Sequence, residues 1–139
     1  MECTVKWIEG SMSFLAETGS GHALVMDGAP EAGGRNIGPR PMETLLAGAG
    51  GCTAFDVVVI LRKSGQNISA CDVKLAAERA DTDPRVFTRI HMHFIVRGKN
   101  LKESLVESAI KLSHNKYCSA SAMLVKTATI THDYEIVAE

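Results

Sequence analysis

No excess of either charge runs through the chain: fifteen Lys and Arg stand against sixteen Asp and Glu, a formal net charge of -1 over 139 residues. That near-balance removes the electrostatic footprint expected of a nucleic-acid binder or of a protein drawn to an anionic membrane. No continuous apolar run approaches the roughly 18 residues of a membrane span; the longest is Val57-Val58-Val59-Ile60-Leu61. Met1 to Trp7 contains no basic segment leading into an apolar one, so no secretory leader is expected. With 45% hydrophobic and 22% charged residues, the expectation is a soluble, cytoplasmic protein of one domain spanning 1–139, with neither nucleic acid nor membrane as partner.

Several chemistries lack their signatures. The cysteines, at 3, 52, 71 and 118, never fall into the C-x-x-C spacing of a zinc ribbon or a thioredoxin-type motif. Four cysteines without a leader do not make a disulfide scaffold, so free thiols in a reducing compartment are expected. Gly33 and Gly34 belong to no G-x-G-x-x-G or phosphate loop, and there is no G-x-S-x-G elbow. His91 and His93 share one face of an expected strand, but no Cys, Asp or third His is spaced nearby to complete a metal set, and a solvated face is the expectation.

What is present is a clear order of elements. Residues 1–28 alternate and turn as three short strands, broken at Gly10-Ser11 and Thr18-Gly19-Ser20-Gly21. Positions 28–40, rich in Gly and Pro, predict a long loop of the kind often functional or shaped by a partner chain. Pro41 suits the first position of a helix and Glu43 its positive end; the pattern runs on to Lys63-Ser64-Gly65. A two-residue period through Cys71–Glu78 and Val86–Arg97, around the turn Asp81-Thr82-Asp83-Pro84, predicts an antiparallel hairpin. Asn100 and Glu103 resemble a capping box opening a helix, a second short helix is expected from Tyr117-Cys118-Ser119 to about Val125, and a strand closes the chain. The order βββ, long helix, ββ, helix, helix, β is α+β.

Two features of this order bear on chemistry. Gly48, Gly50 and Gly51 precede Cys52 inside the long helix, where each glycine costs about 1 kcal/mol relative to alanine. Close approach of another backbone, or a small cavity above Cys52, would account for them. The apolar second half of the helix, Val57 to Leu61, predicts burial on several sides. Cys52 reads either as a small buried hydrophobe or as a reactive thiol. Cys118 stands at an expected helix start, where unpaired N–H groups favour a thiolate; Cys3 and Cys71 read as structural.

Gly38-Pro39-Arg40-Pro41-Met42-Glu43-Thr44-Leu45-Leu46, Gly50-Gly51-Cys52-Thr53-Ala54 and Lys116-Tyr117-Cys118-Ser119 resemble the OsmC/Ohr family, nearest its YhfA-like branch, over essentially the whole chain. The resemblance implies a single OsmC-like domain, 1–139, in an intertwined homodimer built on paired central helices. It implies a stress-defence thiol peroxidase acting on organic hydroperoxides, with Cys52 as peroxidatic nucleophile, Cys118 resolving the sulfenic acid, and a dithiol as reductant. No metal or organic cofactor is implied.

The sequence departs from the hydroperoxide branch at its activating groups. That branch carries an N-terminal arginine, and residues 1–34 contain none. It carries a glutamate directly after the helix-opening proline, where this chain has Met42, with Glu43 one position later. Arg40 is a candidate for the missing cation, with Lys6 behind it. Glu43 and Asp56 flank Cys52 at helical spacing and are candidate supporting residues, with capping or pairing as their alternative. The rival expectation is a non-catalytic or weakly active OsmC-fold protein that binds a small apolar or thiol-bearing ligand.

Overall fold

The computed structural model describes residues 1–139. Its chain folds into two units, Met1–Ala47 and Gly48–Glu139. The first holds β1 (Cys3–Trp7), β2 (Ser13–Thr18) and β3 (Ala23–Asp27), an antiparallel meander in the order β1-β2-β3.

The long connection after β3 is organised by one carboxylate. Asp27 is fully buried, with Oδ1 accepting from Ser13 Oγ at 3.1 Å and from the Gly28 N–H at 2.9 Å. Its Oδ2 accepts from the Arg35 and Ile37 N–H groups at 2.8 and 3.2 Å, and its own N–H donates to Pro39 O at 2.9 Å. Four donors converge on a side chain the sequence offers only as a turn residue. Burial by itself would raise the Asp27 pKa, but the bonds from Arg35, Ile37, Ser13 and Gly28 outweigh it and hold the carboxyl below its ordinary value.

Helix α1 spans Pro41–Lys63. Proline opens it as expected, and Glu43, three positions past Arg40, folds its Oε2 back onto the Arg40 N–H at 2.8 Å, one half of a capping box. At the far end Gly65 takes φ +73°, and the Gln66 and Gly65 N–H groups close on Leu61 O and Arg62 O. The sequence shows no long aliphatic run, yet α1 reaches a mean hydropathy of 1.8 over 18 residues, enough by length and composition for a membrane span. Leu45, Leu46, Cys52, Phe55 and the alanines supply the difference. Core helices of soluble proteins pass the same test, and only 28% of that segment is buried within the chain.

In the second unit β4 (Asn67–Arg79) and β5 (Phe87–Lys99) form the expected antiparallel hairpin, and β6 (Thr129–Ala138) lies parallel to β5 on its other side. Between β5 and β6 come α2 (Glu103–Leu112), a π-helical turn (Ser113–Tyr117) and α3 (Ser119–Leu124). Along β5 the alternation holds from Ile90 to Phe94, with Ile90, Met92 and Phe94 buried and His91 exposed, and ends at Ile95, which is buried together with Val96. At its start Phe87 turns inward because a register shift opposite Glu78 and Arg79 offsets the pairing by one. Val57 and Leu61 of α1 and Val106, Ala109 and Ile110 of α2 complete the apolar core of this unit.

The expected capping box at α2 does not form. Asn100 occupies the left-handed region at φ +52°, and Lys102 is the cap residue, its N–H donating to Gln66 Oε1 at 2.8 Å. Glu103 accepts instead from the Tyr134 hydroxyl at 3.3 Å. Of the three helix glycines, Gly50 alone meets a close neighbour: a methyl there would stand 2.7 Å from Leu75 Cδ1 on β4. Gly48 and Gly51 face open space.

Candidate functional site: a paired thiol beside a carboxylate

Cys52 and Asp56 are four residues apart on α1 and therefore share a face. Cys118 comes from a distant part of the chain, at the N-cap of α3. The Cys52 and Cys118 sulfurs and an Asp56 carboxylate oxygen all lie within 4.8 Å of one another.

Each member is held by its surroundings. Asp56 Oδ2 accepts from Ser113 Oγ at 3.1 Å, and Ser113 Oγ sits 2.8 Å from Thr53 Oγ1. Because a carboxylate only accepts, the proton order follows: Thr53 donates to Ser113 and Ser113 to Asp56. Both hydroxyls are buried, so Asp56 is fixed from behind by a relay running between α1 and the π turn. That turn sets Cys118 as well. The Cys118 N–H reaches back five residues to Ser113 O at 2.8 Å, and Cys118 Sγ accepts from the Ser121 N–H at 3.4 Å. A π turn inserted in a helix is a common device at functional sites.

Cys52 is half-buried and Cys118 only 2% exposed. Burial pushes the Cys118 thiol up; the bond from Ser121 works against it and the neighbouring Cys52 with it. This corrects the expectation of a thiolate stabilised at a helix start. Six residues of α3 give little dipole, and desolvation outweighs them. Cys118 is therefore a protonated thiol at neutral pH, aimed at Cys52.

The other expected residues are placed plainly. Arg40 Nη1 donates to Asn36 Oδ1 at 3.2 Å and Gly38 O at 3.1 Å, and Glu43 caps α1 at Arg40 N, so both are engaged within the first unit. Lys6 pairs with Glu17 there. Cys3 is exposed on β1. Cys71 is half-buried on β4, and burial, reinforced by Asp72, pushes its thiol up to about 11. Under native conditions at pH 8, iodoacetamide should label Cys71 at least ~10-fold more slowly than Cys3, because only the thiolate reacts; equal rates by peptide mass mapping would contradict that burial. On the His91–His93 face His91 is exposed and His93 half-buried, and the sequence missed a third member: Asp133 on β6 lies 3.2 Å from His91 Nε2 and 2.7 Å from His93 Nδ1.

Ser113 and Thr53 had no sequence signal, since lone hydroxyls on separate elements announce nothing. Nor does any composition cue mark a π turn. Asp56 also lines a groove of about 340 Å³, with Val59, Ile60, Lys63, Leu112 and Tyr117; neither cysteine is among its lining residues.

Residues 33–133 match the family model described as OsmC-like protein. The chain belongs to the OsmC-like family. It is 50% identical to protein YhfA of Escherichia coli strain K12 over 138 residues, covering 99% of each chain. The OsmC-like chain also superposes on the OsmC-like protein of Mycoplasma pneumoniae with a TM-score of 0.83 at 18% identity, over 98% of this chain and 96% of that one. The organic hydroperoxide resistance protein OhrB of Bacillus subtilis gives 0.64 at 15% identity, over 96% of each. These last two show that the fold is shared. The expected α+β OsmC-like order, three strands and a long helix followed by two strands, two helices and a strand, is the order found, with the π turn as its addition.

Proposed function

We propose that this OsmC-like protein is a stress-defence thiol peroxidase that reduces organic hydroperoxides through Cys52 and Cys118 and works as a cytoplasmic homodimer. The observation that carries the reading is the convergence of both sulfurs with Asp56 inside 4.8 Å. The Cys52 thiolate attacks the terminal peroxide oxygen; the O–O bond breaks, the alkoxide leaves and takes a proton as the alcohol, and Cys52 becomes a sulfenic acid. The Cys118 sulfur then displaces that hydroxyl, forming the Cys52–Cys118 disulfide and releasing water. An external dithiol returns both sulfurs to thiols and is itself oxidised.

The asymmetry of the pair suits these roles. A buried Cys118 held protonated is a poor first nucleophile and loses its proton only as it attacks the sulfenic sulfur beside it, while Cys52 is the sulfur with partial access to solvent. The apolar walls of the groove, Val59, Ile60, Leu112 and Tyr117, suit the hydrocarbon part of an organic hydroperoxide. The dimer is supported by uncovered apolar surface: Phe55 is 69% exposed and Met123 68%, and Gly48 and Gly51 present bare backbone on α1.

The test is intact mass and free-thiol count after one equivalent of cumene hydroperoxide is added to the reduced protein. Loss of two thiols per chain within seconds, mapped to Cys52 and Cys118, is the expected result. One observation favours ligand binding without turnover: Glu43 caps the Arg40 backbone N–H and the Arg40 guanidinium donates to Asn36 and Gly38, so the two side chains do not form the activating ion pair of the hydroperoxide branch. Thiols unchanged over minutes would decide for that reading.

A further inference from the structure

Two sulfurs and one carboxylate within 4.8 Å of one another also form a three-donor set that a thiophilic d10 cation can use. Tetrahedral bonds of about 2.3 Å to sulfur put two sulfurs about 3.8 Å apart, which the 4.8 Å cluster reaches by small side-chain rotations. Hard cations are excluded by the donor set: calcium takes six to eight oxygens and magnesium a near-octahedral oxygen shell, whereas thiolates select zinc, cadmium and copper(I).

Two further observations go beyond the proximity itself. The Ser113 hydroxyl occupies Asp56 Oδ2 and is itself oriented by Thr53, so the carboxylate is turned and held with Oδ1 free of any hydrogen bond from the protein. Outer hydrogen bonds of this kind fix first ligands in metal sites. The Ser121 N–H on Cys118 Sγ does the same for the sulfur. Ser121 Oγ, on the same turn of α3, is buried without a hydrogen-bond partner.

We propose that the reduced site binds one zinc-like thiophilic cation through Cys52 Sγ, Cys118 Sγ and Asp56, leaving the fourth coordination position open. Both thiols release their protons to solvent as the sulfur–metal bonds form, and no electron moves. The cation and the disulfide claim the same two sulfurs and exclude each other. Metal binding thus holds the pair reduced and silences it toward peroxide, a regulation of the site already described that depends on its geometry and not on its turnover.

The test uses cadmium as probe, followed by its ultraviolet thiolate charge-transfer band on the full-length reduced protein without oxygen. The expected result is one cadmium per chain, fully preserved in a Cys3→Ser/Cys71→Ser double variant. Binding should weaken at least ~100-fold in Cys52→Ser and in Cys118→Ser, and ~10-fold in Asp56→Asn, with calcium and magnesium failing to compete and zinc displacing. A band that survives loss of Cys52 or Cys118, one that vanishes with Cys3 and Cys71, or no band at equimolar cadmium overturns the proposal. The double variant retains the site residues, so its result stands whether or not the single variants fold. A chain that binds cadmium yet ignores hydroperoxide keeps this proposal and removes the peroxidase reading; the reverse pattern does the opposite.

Discussion

Cys52→Ser should abolish turnover of cumene hydroperoxide with a dithiol reductant, a fall on the order of 10³-fold or more as expected when a nucleophile is removed. Cys118→Ser should differ in kind. With no second sulfur, the first peroxide still oxidises Cys52, giving one equivalent of alcohol per chain, and the sulfenic acid then waits for an external thiol. Stopped-flow alcohol release with mass detection of the +O adduct separates the two. Full turnover by Cys52→Ser would end the assignment, and a burst from Cys52→Ser with none from Cys118→Ser would invert it.

The second large effect lies away from the thiols. Asp27→Asn keeps the size of the side chain but replaces an acceptor-only group, which takes four donors, by one that carries two donors of its own. At least one of the converging N–H groups then faces an NH₂, and a buried donor is left unpaired. The melting midpoint should fall by about 5 °C or more, with proteolytic cleavage appearing between residues 28 and 40. The sign with pH follows from the lowered pKa. Stability from Asp27 is complete above the ordinary carboxylate value of 3.8 and is lost as pH falls through the lower folded value. The acid limb of the stability curve should therefore be steeper in the parent than in Asp27→Asn; identical limbs would show that the carboxylate is not what organises the loop.

What the sequence made legible is what repeats locally. The proline-led start of α1, the glycine-marked stop at 65 and the β5 alternation between Ile90 and Phe94 are all short-range patterns that appear where expected. The Cys52–Asp56 spacing is local too. The approach of Cys118 to that pair is not, because it depends on a π turn whose extra residue leaves no compositional trace. The same holds for Ser113 and for Asp133, which stands opposite His93 only because β6 runs parallel to β5. The capping box at Asn100 failed for a related reason: local complementarity lost to the tight left-handed turn ending β5, and a distant side chain, Gln66, took over the cap.

The parallel pairing of β5 and β6 has a consequence for how the site comes into being. A parallel partner cannot be reached by a tight hairpin; it requires a crossover, here residues 100–128, and Cys118 rides on that crossover. The two sulfurs thus meet across 66 residues of sequence, and the loop entropy of that closure is lost before any contact rewards it. While the chain is being made, Cys52 emerges well ahead of its partner. The thiol pair is accordingly a product of late folding, since its second sulfur lies on the crossover that the parallel strand β6 closes.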